Sequence, residues 1–308
     1  MHPILFQVTD GFFIGTYGLA IALGLLVASA LAAWRGKARG VPPEAFYDLT
    51  FIAVISGFLG ARVLFIITNF GEFLSDPVPY LLSRTGFVFL GGLMAAAACC
   101  SWYVIRRRLD FWTIADVMAP SIAVGHAFGR IGCHLSGCCY GGVCESPLGV
   151  RVPRVLMPMG ELWPNAYGDQ LAEGVLPPDA LWSLPVWPVQ LMESTSLAVL
   201  AGVLLLIATR GHRKGTIFGA YLAGYAVLRF GLEMLRGDEL RGVYFGFLST
   251  SQILSIALLG TGIVILATAK RRPPGIMPGT VPPPPAEPTA DDSVKSRAAV
   301  RSRSRGGR

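Results

Sequence analysis

Charge is scarce in this sequence. Only 15% of its 308 residues are Asp, Glu, Lys or Arg, while 53% are hydrophobic and the mean hydropathy is +0.54. An ordinary soluble domain carries roughly 25% charged residues, so a water-soluble globule is excluded and a polytopic membrane protein is the class that remains. The net charge of +7 does not restore a nucleic-acid reading. From Lys270 onward there are nine Lys and Arg against three Asp and Glu, which leaves the body with about one net charge. No nucleic-acid partner is expected. Also missing are a basic stretch ahead of the first apolar run, any C-x-x-C pair among the six cysteines, and any internal repeat. The first absence predicts that the first run is retained as a span and not cleaved as a signal peptide. The second removes the usual spacing of a zinc or redox centre.

What is present is a series of apolar runs long enough to cross a bilayer, at roughly 13–34, 48–69, 86–105, 112–131, 188–209, 215–235 and 247–269. The expected fold is all-α: a polytopic membrane bundle of seven transmembrane helices with a small extracytoplasmic head. One set of connections holds Arg35, Lys37, Arg39, Arg106, Arg107, Arg108, Arg210, Arg213, Lys214, Lys270, Arg271 and Arg272, and the opposite set only Arg84, Arg151, Arg154, Arg236 and Arg241. The positive-inside rule then puts the N-terminus outside and the C-terminus in the cytoplasm. Residues 1–269 are read as one transmembrane domain that includes the head at about 141–187, whose Trp163, Trp182 and Trp187 are available for the membrane interface. The remainder, 270–308, rich in proline and then in Arg-Ser repeats, is expected to be a disordered basic cytoplasmic tail.

Inside the spans the polar residues are not scattered. The stretch from His126 to Gly142 places Arg130, two histidines, three cysteines and five glycines at the end of an apolar run. Polar groups this dense at a bilayer boundary mark a working site. With the orientation above, Tyr17, Gly91, Gly92, Gln190, Glu193, Ser249, Ser251 and Gln252 fall near the outer ends of their spans. Arg62, Asn69, His126, Arg130, Tyr225, Arg229 and Glu233 lie in the outer half as well, and Asp116 is the exception. Tyr225, Arg229 and Glu233 are spaced i, i+4, i+8 along one helix face, so the last two can pair. His126 and Arg130 are likewise one turn apart, and two arginines on facing helices could grip one phosphate. Glycines such as Gly132 and Gly141 let backbone N–H groups approach a ligand closely. An outward-opening cavity that takes a lipid head group is the expectation.

The segment Gly129-Arg130-Ile131-Gly132, followed by Gly137 and Gly141, resembles the signature of the prolipoprotein diacylglyceryl transferase family of seven-helix bacterial inner-membrane enzymes. Tyr17-Gly18, Gly60-Ala61-Arg62, Gly91-Gly92, Asp116 with Pro120, Gln190-Leu191 with Glu193, the Tyr225/Arg229/Glu233 row with Arg236, and Gln252 to Ser255 extend the match from about residue 14 to 269. The resemblance implies transfer of the diacylglyceryl group of phosphatidylglycerol to the thiol of a lipobox cysteine in a prolipoprotein signal peptide, the first step of bacterial lipoprotein maturation. It implies that Arg130 binds the lipid head group and that Arg229 stabilises the departing phosphate. Glu233 and Tyr225 would orient it, and Tyr17 would complete a pocket to which Gly132, Gly141 and Gln190 also belong. Phosphatidylglycerol, the precursor and membrane lipids are the expected partners. No cofactor is expected.

The match is incomplete in places that matter for proton transfer. A histidine common in the third span is Leu90 here, the usual Asn after Arg-x-Gly is Cys133, and Trp187 and Met192 replace family residues around Gln190. His126, one turn before Arg130, is the expected acceptor of the attacking thiol's proton, with His134 and water as the alternatives. Cys133, Cys138, Cys139 and Cys144 have ligand chemistry without ligand spacing, so a disulfide among them is preferred to a metal. A second reading, of another class, is a non-catalytic relative that binds phospholipid or a lipoprotein precursor and carries a redox-active cysteine cluster.

Overall fold

A run of some twenty apolar residues buries its backbone polar groups only by coiling into a helix, and the chain does so repeatedly. The computed structural model describes residues 1–9, 12–82, 86–157, 160–235, 243–244 and 248–275. Its long helices are α1 (Thr16–Lys37), α2 (Pro43–Thr68), α5 (Phe89–Arg106), α6 (Phe111–Ser136), α8 (Val189–Ala208), α9 (Thr216–Glu233) and α10 (Thr250–Ala269). Short helices α3 (Phe70–Ser75), α4 (Pro77–Leu82) and α7 (Ala166–Ala172) lie between them. Among the described residues five helices, α1, α2, α5, α8 and α10, are long and apolar enough to cross a membrane. Helices α6 and α9 are 26 and 18 residues long, and they carry Asp116, His126, Arg130, Arg229 and Glu233.

The all-α expectation needs one correction. Strands β1 (Ile4–Thr9) and β2 (Phe12–Gly15) form an antiparallel pair ahead of α1, and β3 (Val243–Tyr244) pairs with β4 (Leu248–Ser249) ahead of α10. The first helix therefore starts at Thr16 and not at 13, because the backbone of 12–15 is engaged by the N-terminal strand. Thr16 ties the hairpin to the helix, its N–H and hydroxyl donating to the Pro3 carbonyl at 3.0 and 3.2 Å.

Helix α6 is the hub, packed on α1, α8 and α9, while α2 pairs with α5 and α9 with α10. Its contact with α8 and α9 is a ladder of small and branched side chains. Ala119, Ala123 and Ala127 of α6 meet Leu197, Ala201, Leu204 and Ala208 of α8 and Ile217 and Tyr221 of α9. The spacing of three and four puts each set on one helix face. The α2–α5 contact depends on missing side chains: a Cβ on Gly91 would stand 2.5 Å from the Gly60 carbonyl oxygen. Gly91 and its neighbour Gly92 thus serve close helix packing.

Asp116 has a structural task. Buried near the start of α6, it accepts the N–H of Gly215 at 2.7 Å and that of Phe218 at 2.9 Å. A carboxylate here satisfies donors that open α9 and faces the positive end of its dipole. Asp116→Ala should lower stability by about 1–3 kcal/mol through two buried, unpartnered N–H groups. Thermal unfolding in detergent measures it; Asp116→Asn should retain part of the loss, and an unchanged midpoint for Asp116→Ala would refute the assignment.

Between α6 and α8 the described residues of 141–187 are laced by bridges from Val143 and Val150 to Val186, from Pro153 to Trp182 and from Leu156 to Leu162. Val152, Ala166 and Val186 are their small core. Trp163, expected at the membrane interface, donates its indole N–H to the Ser136 carbonyl at 3.0 Å and closes the end of α6. The tail's first residues are also held: Lys214 N–H donates to the Pro273 carbonyl, Gly275 N–H to that of His212, and the Arg272 guanidinium lies 3.4 Å over the Trp112 ring. The disorder expected of the rest of the tail concerns 276–308, outside the described residues, as are Arg84, Arg236 and Arg241.

Candidate functional site

Glu193 stands one turn into α8 with its side chain 2% exposed. A carboxylate so deeply buried requires partners, and two guanidinium groups and an imidazole from two other helices surround it. Arg130 Nε of α6 is 3.1 Å from Oε2, Arg229 Nη1 of α9 is 3.9 Å from the same oxygen, and His126 Nε2 of α6 is 3.6 Å from Oε1. Arg229 is shared, since its Nη2 also makes a 2.7 Å ion pair with Glu233 Oε2 one turn on and a 3.0 Å hydrogen bond to Ser251 Oγ. Ser249 then donates to Glu233 Oε1 at 3.0 Å, so the network reaches the capping box that opens α10.

Two guanidinium and two carboxylate groups balance while His126 is neutral. The balance is not accompanied by saturation. Among the described residues, both oxygens of Glu193, Arg229 Nη1 and Glu233 Oε2 are buried without a hydrogen bond of good geometry. A partly satisfied buried network of this kind is costly. Side-chain exposure rises from 2% at Glu193 through 10% at Arg229 and 16% at Arg130 to 28% at His126. His126 is thus the least buried member of the centre. Tyr225 lines the same place, its ring 5.3 Å from that of His126 and stacked on Tyr221 at 6.1 Å. Arg130, Arg229, His126, Glu233 and Tyr225 are thus brought together.

The other predicted site residues make contacts of their own. Tyr17 packs over Gly132, where a Cβ would be 3.1 Å from its ring, so Gly132 holds α1 close to α6. Gly141 gives its N–H to the Trp187 carbonyl at 2.9 Å, and a Cβ there would lie 2.7 Å from the Leu235 carbonyl oxygen. Gln190 donates to the Cys138 carbonyl at 2.7 Å, binding the loop after α6 to the start of α8, while its Oε1 is buried with no partner among the described residues. For Gly132 and Gly141 the structure shows packing and backbone pairing in place of an open N–H. Arg62 lies apart, donating to the Gly86 carbonyl at 2.9 Å under the Phe65 and Phe87 rings. Leu90 is in the first turn of α5, 40% exposed.

Glu193 is the residue the sequence undervalued. It was visible as a polar group near the end of a span, yet nothing along the chain links it to Arg130, 63 positions earlier, or to Arg229, 36 positions later. Its i, i+3 spacing from Gln190 was the available signal.

The sequence matches the prolipoprotein diacylglyceryl transferase family over residues 3–268. The chain belongs to this family. Among its relatives, phosphatidylglycerol–prolipoprotein diacylglyceryl transferase 2 of Clostridium perfringens is 33% identical over 258 residues, which cover 83% of this chain and 91% of that protein. The corresponding transferase of Clostridium tetani is 31% identical over 265 residues, 86% of this chain and 96% of its own length. That of Stenotrophomonas maltophilia is 31% identical over 268 residues, 83% and 88% respectively. A non-catalytic relative finds no support in these comparisons. This prolipoprotein diacylglyceryl transferase family member departs from the sequence expectation at the cysteines. Among the described residues the expected disulfide is not formed, and the sulfurs of Cys133, Cys138 and Cys139 lie within 4.8 Å of one another. They gather because α6 runs on to Ser136 and ends in a left-handed Gly137 (φ 75°), after which the chain turns back.

Proposed function

We propose that this chain transfers the diacylglyceryl group of phosphatidylglycerol to the lipobox cysteine of prolipoproteins, and that the reaction occurs around Glu193. The observation that carries the site is the convergence of Arg130, Arg229 and His126 on that one buried carboxylate. The reaction forms an S–C bond to the glyceryl carbon and breaks its C–O bond to phosphate, so negative charge grows on the leaving glycerol phosphate while the thiol gives up a proton.

Each change has a group to meet it. The guanidinium planes of Arg130 and Arg229 suit phosphate oxygens, and a phosphate entering between them draws both from Glu193. Arg130 takes the phosphatidylglycerol head group and Arg229 the oxygens that become charged, held in place by Glu233 and Ser251 with Tyr225 alongside. His126, 3.6 Å from Glu193, relays the thiol proton towards that carboxylate once the arginines have turned to the phosphate. Neither arginine can do this, because a guanidinium stays protonated. Tyr17, Gly132, Gly141 and Gln190 fix the walls by closing α1 and the loop after α6 onto the centre.

The seven long helices are read as seven spans, α6 and α9 being less apolar because they carry the site. The basic connections place the N-terminus outside, the C-terminus in the cytoplasm and the 141–187 segment on the outer face of the bacterial inner membrane, where the lipobox of an exported precursor arrives. Residues 1–269 then form the transferase domain and 270–308 the basic tail. Expression of this chain in a bacterium depleted of its own transferase should restore growth and lipidated lipoproteins, and the purified protein should convert a lipobox peptide when given phosphatidylglycerol. Failure of both, with folded protein in the membrane, would overturn the reading.

A further inference from the structure

Cys133, Cys138 and Cys139 are, among the described residues, the group of three or more potential metal ligands that the fold gathers. Cys133 is buried in the last turn of α6 and the other two are half-buried in the loop that follows. Cys139 holds a left-handed backbone, φ 61°, a conformation that a side chain with Cβ adopts only when its surroundings enforce it. That turn, with the one at Gly137, returns two thiols to the thiol of Cys133. Sequence spacing argued against a metal here because i, i+5, i+6 is no ligand signature; the left-handed turns make the spacing irrelevant.

The geometry is close to what a thiophilic cation needs. Zinc–sulfur bonds of about 2.3 Å put the sulfurs of a tetrahedral site about 3.8 Å apart, so each pair has to close by about 1 Å at most. Such a set also requires positive charge nearby to favour thiolates. Arg130, one turn before Cys133 on the same helix, is a permanent cation beside the cluster. The next cysteine, Cys144, is engaged elsewhere, its thiol directed to the Ser146 carbonyl at 3.9 Å. Four protein ligands would close a zinc site, whereas three leave a position for another molecule.

We propose that Cys133, Cys138 and Cys139 form a three-thiolate Zn2+ site whose fourth position accepts an exogenous thiol. The choice of a thiol rests on the transferase reading, in which a cysteine is the nucleophile. On binding, the thiol loses its proton to the His126–Glu193 pair, a Zn–S bond replaces a Zn–water bond, and no electrons are transferred. The site lies beside Arg130, so a thiolate held there faces the phosphate that Arg130 binds.

Zinc content and Co2+ titration of the reduced, detergent-purified full chain test this directly. One equivalent of Co2+ should bind with a thiolate-to-cobalt charge-transfer band and the visible spectrum of a tetrahedral centre. Cys133→Ser, Cys138→Ser and Cys139→Ser should each abolish or shift the band, and Cys144→Ser should leave it unchanged. A lipobox peptide should alter the visible spectrum, while its serine analogue should not. The site is overturned if the reduced protein shows no charge-transfer band, if Cys133→Ser keeps it intact, or if isolation without reductant consumes two of the three thiols in a disulfide. A band that ignores the cysteine peptide overturns the open position. Because these readouts need no turnover, an inactive protein that binds Co2+ would count against the transferase reading alone, and an active one without the band against the metal alone.

Discussion

Replacing Arg229 by alanine is expected to lower diacylglyceryl transfer by about two to three orders of magnitude, the cost of removing one preorganised charge from a transition state that develops an anion. Arg229 is the better placed of the two arginines for this, because Glu233 at 2.7 Å and Ser251 at 3.0 Å fix its guanidinium before any substrate arrives. Arg229→Lys keeps the charge without the planar fork and should recover only part of the loss. The change also strips a buried carboxylate of its cation, so activity and stability must be read separately. In Arg229→Ala with Glu233→Gln the stability should recover while transfer stays low. The assay is conversion of a lipobox peptide with phosphatidylglycerol in mixed micelles, and activity of the single variant within about threefold of the parent would sink the assignment.

The second large effect is expected at Glu193. If it is the final proton acceptor, Glu193→Gln should slow transfer by about two to four orders of magnitude, with the isosteric amide preserving much of the packing. His126→Gln should have the smaller effect, since water can replace a relay more readily than a base. Glu193→Ala should do further damage: it leaves Arg130 and Arg229 without their shared counter-ion, a loss of about 3–5 kcal/mol typical of a broken buried pair. Transfer rates and thermal midpoints of the three variants decide the matter. A His126→Gln variant slower than Glu193→Gln would assign the proton to the imidazole instead, and full activity in Glu193→Gln would restrict the carboxylate to holding the arginines.

The composition and the run lengths were sufficient for the class, because a chain with 15% charge and repeated apolar stretches has few ways to satisfy its backbone outside a helical membrane bundle. The row Tyr225, Arg229, Glu233 was equally legible, since side chains four apart on a helix are neighbours whatever the helix touches. What was not legible depends on how separate helices meet. Burial period tells which face of α8 turns inward, and it is silent on whether that face finds α6 or α2; only the packing of Ala119, Ala123 and Ala127 against Leu197, Ala201 and Leu204 sets Glu193 between Arg130 and Arg229. The same holds for Asp116, whose partners Gly215 and Phe218 are about a hundred residues away. Gly132 and Gly141 read as ligand-facing because an absent side chain looks alike in sequence whether a phosphate or another helix fills the space. The thiols of Cys133, Cys138 and Cys139 converge through left-handed backbone at Gly137 and Cys139. A positive φ at a cysteine is not a local preference of the residue, so tertiary packing alone decides it.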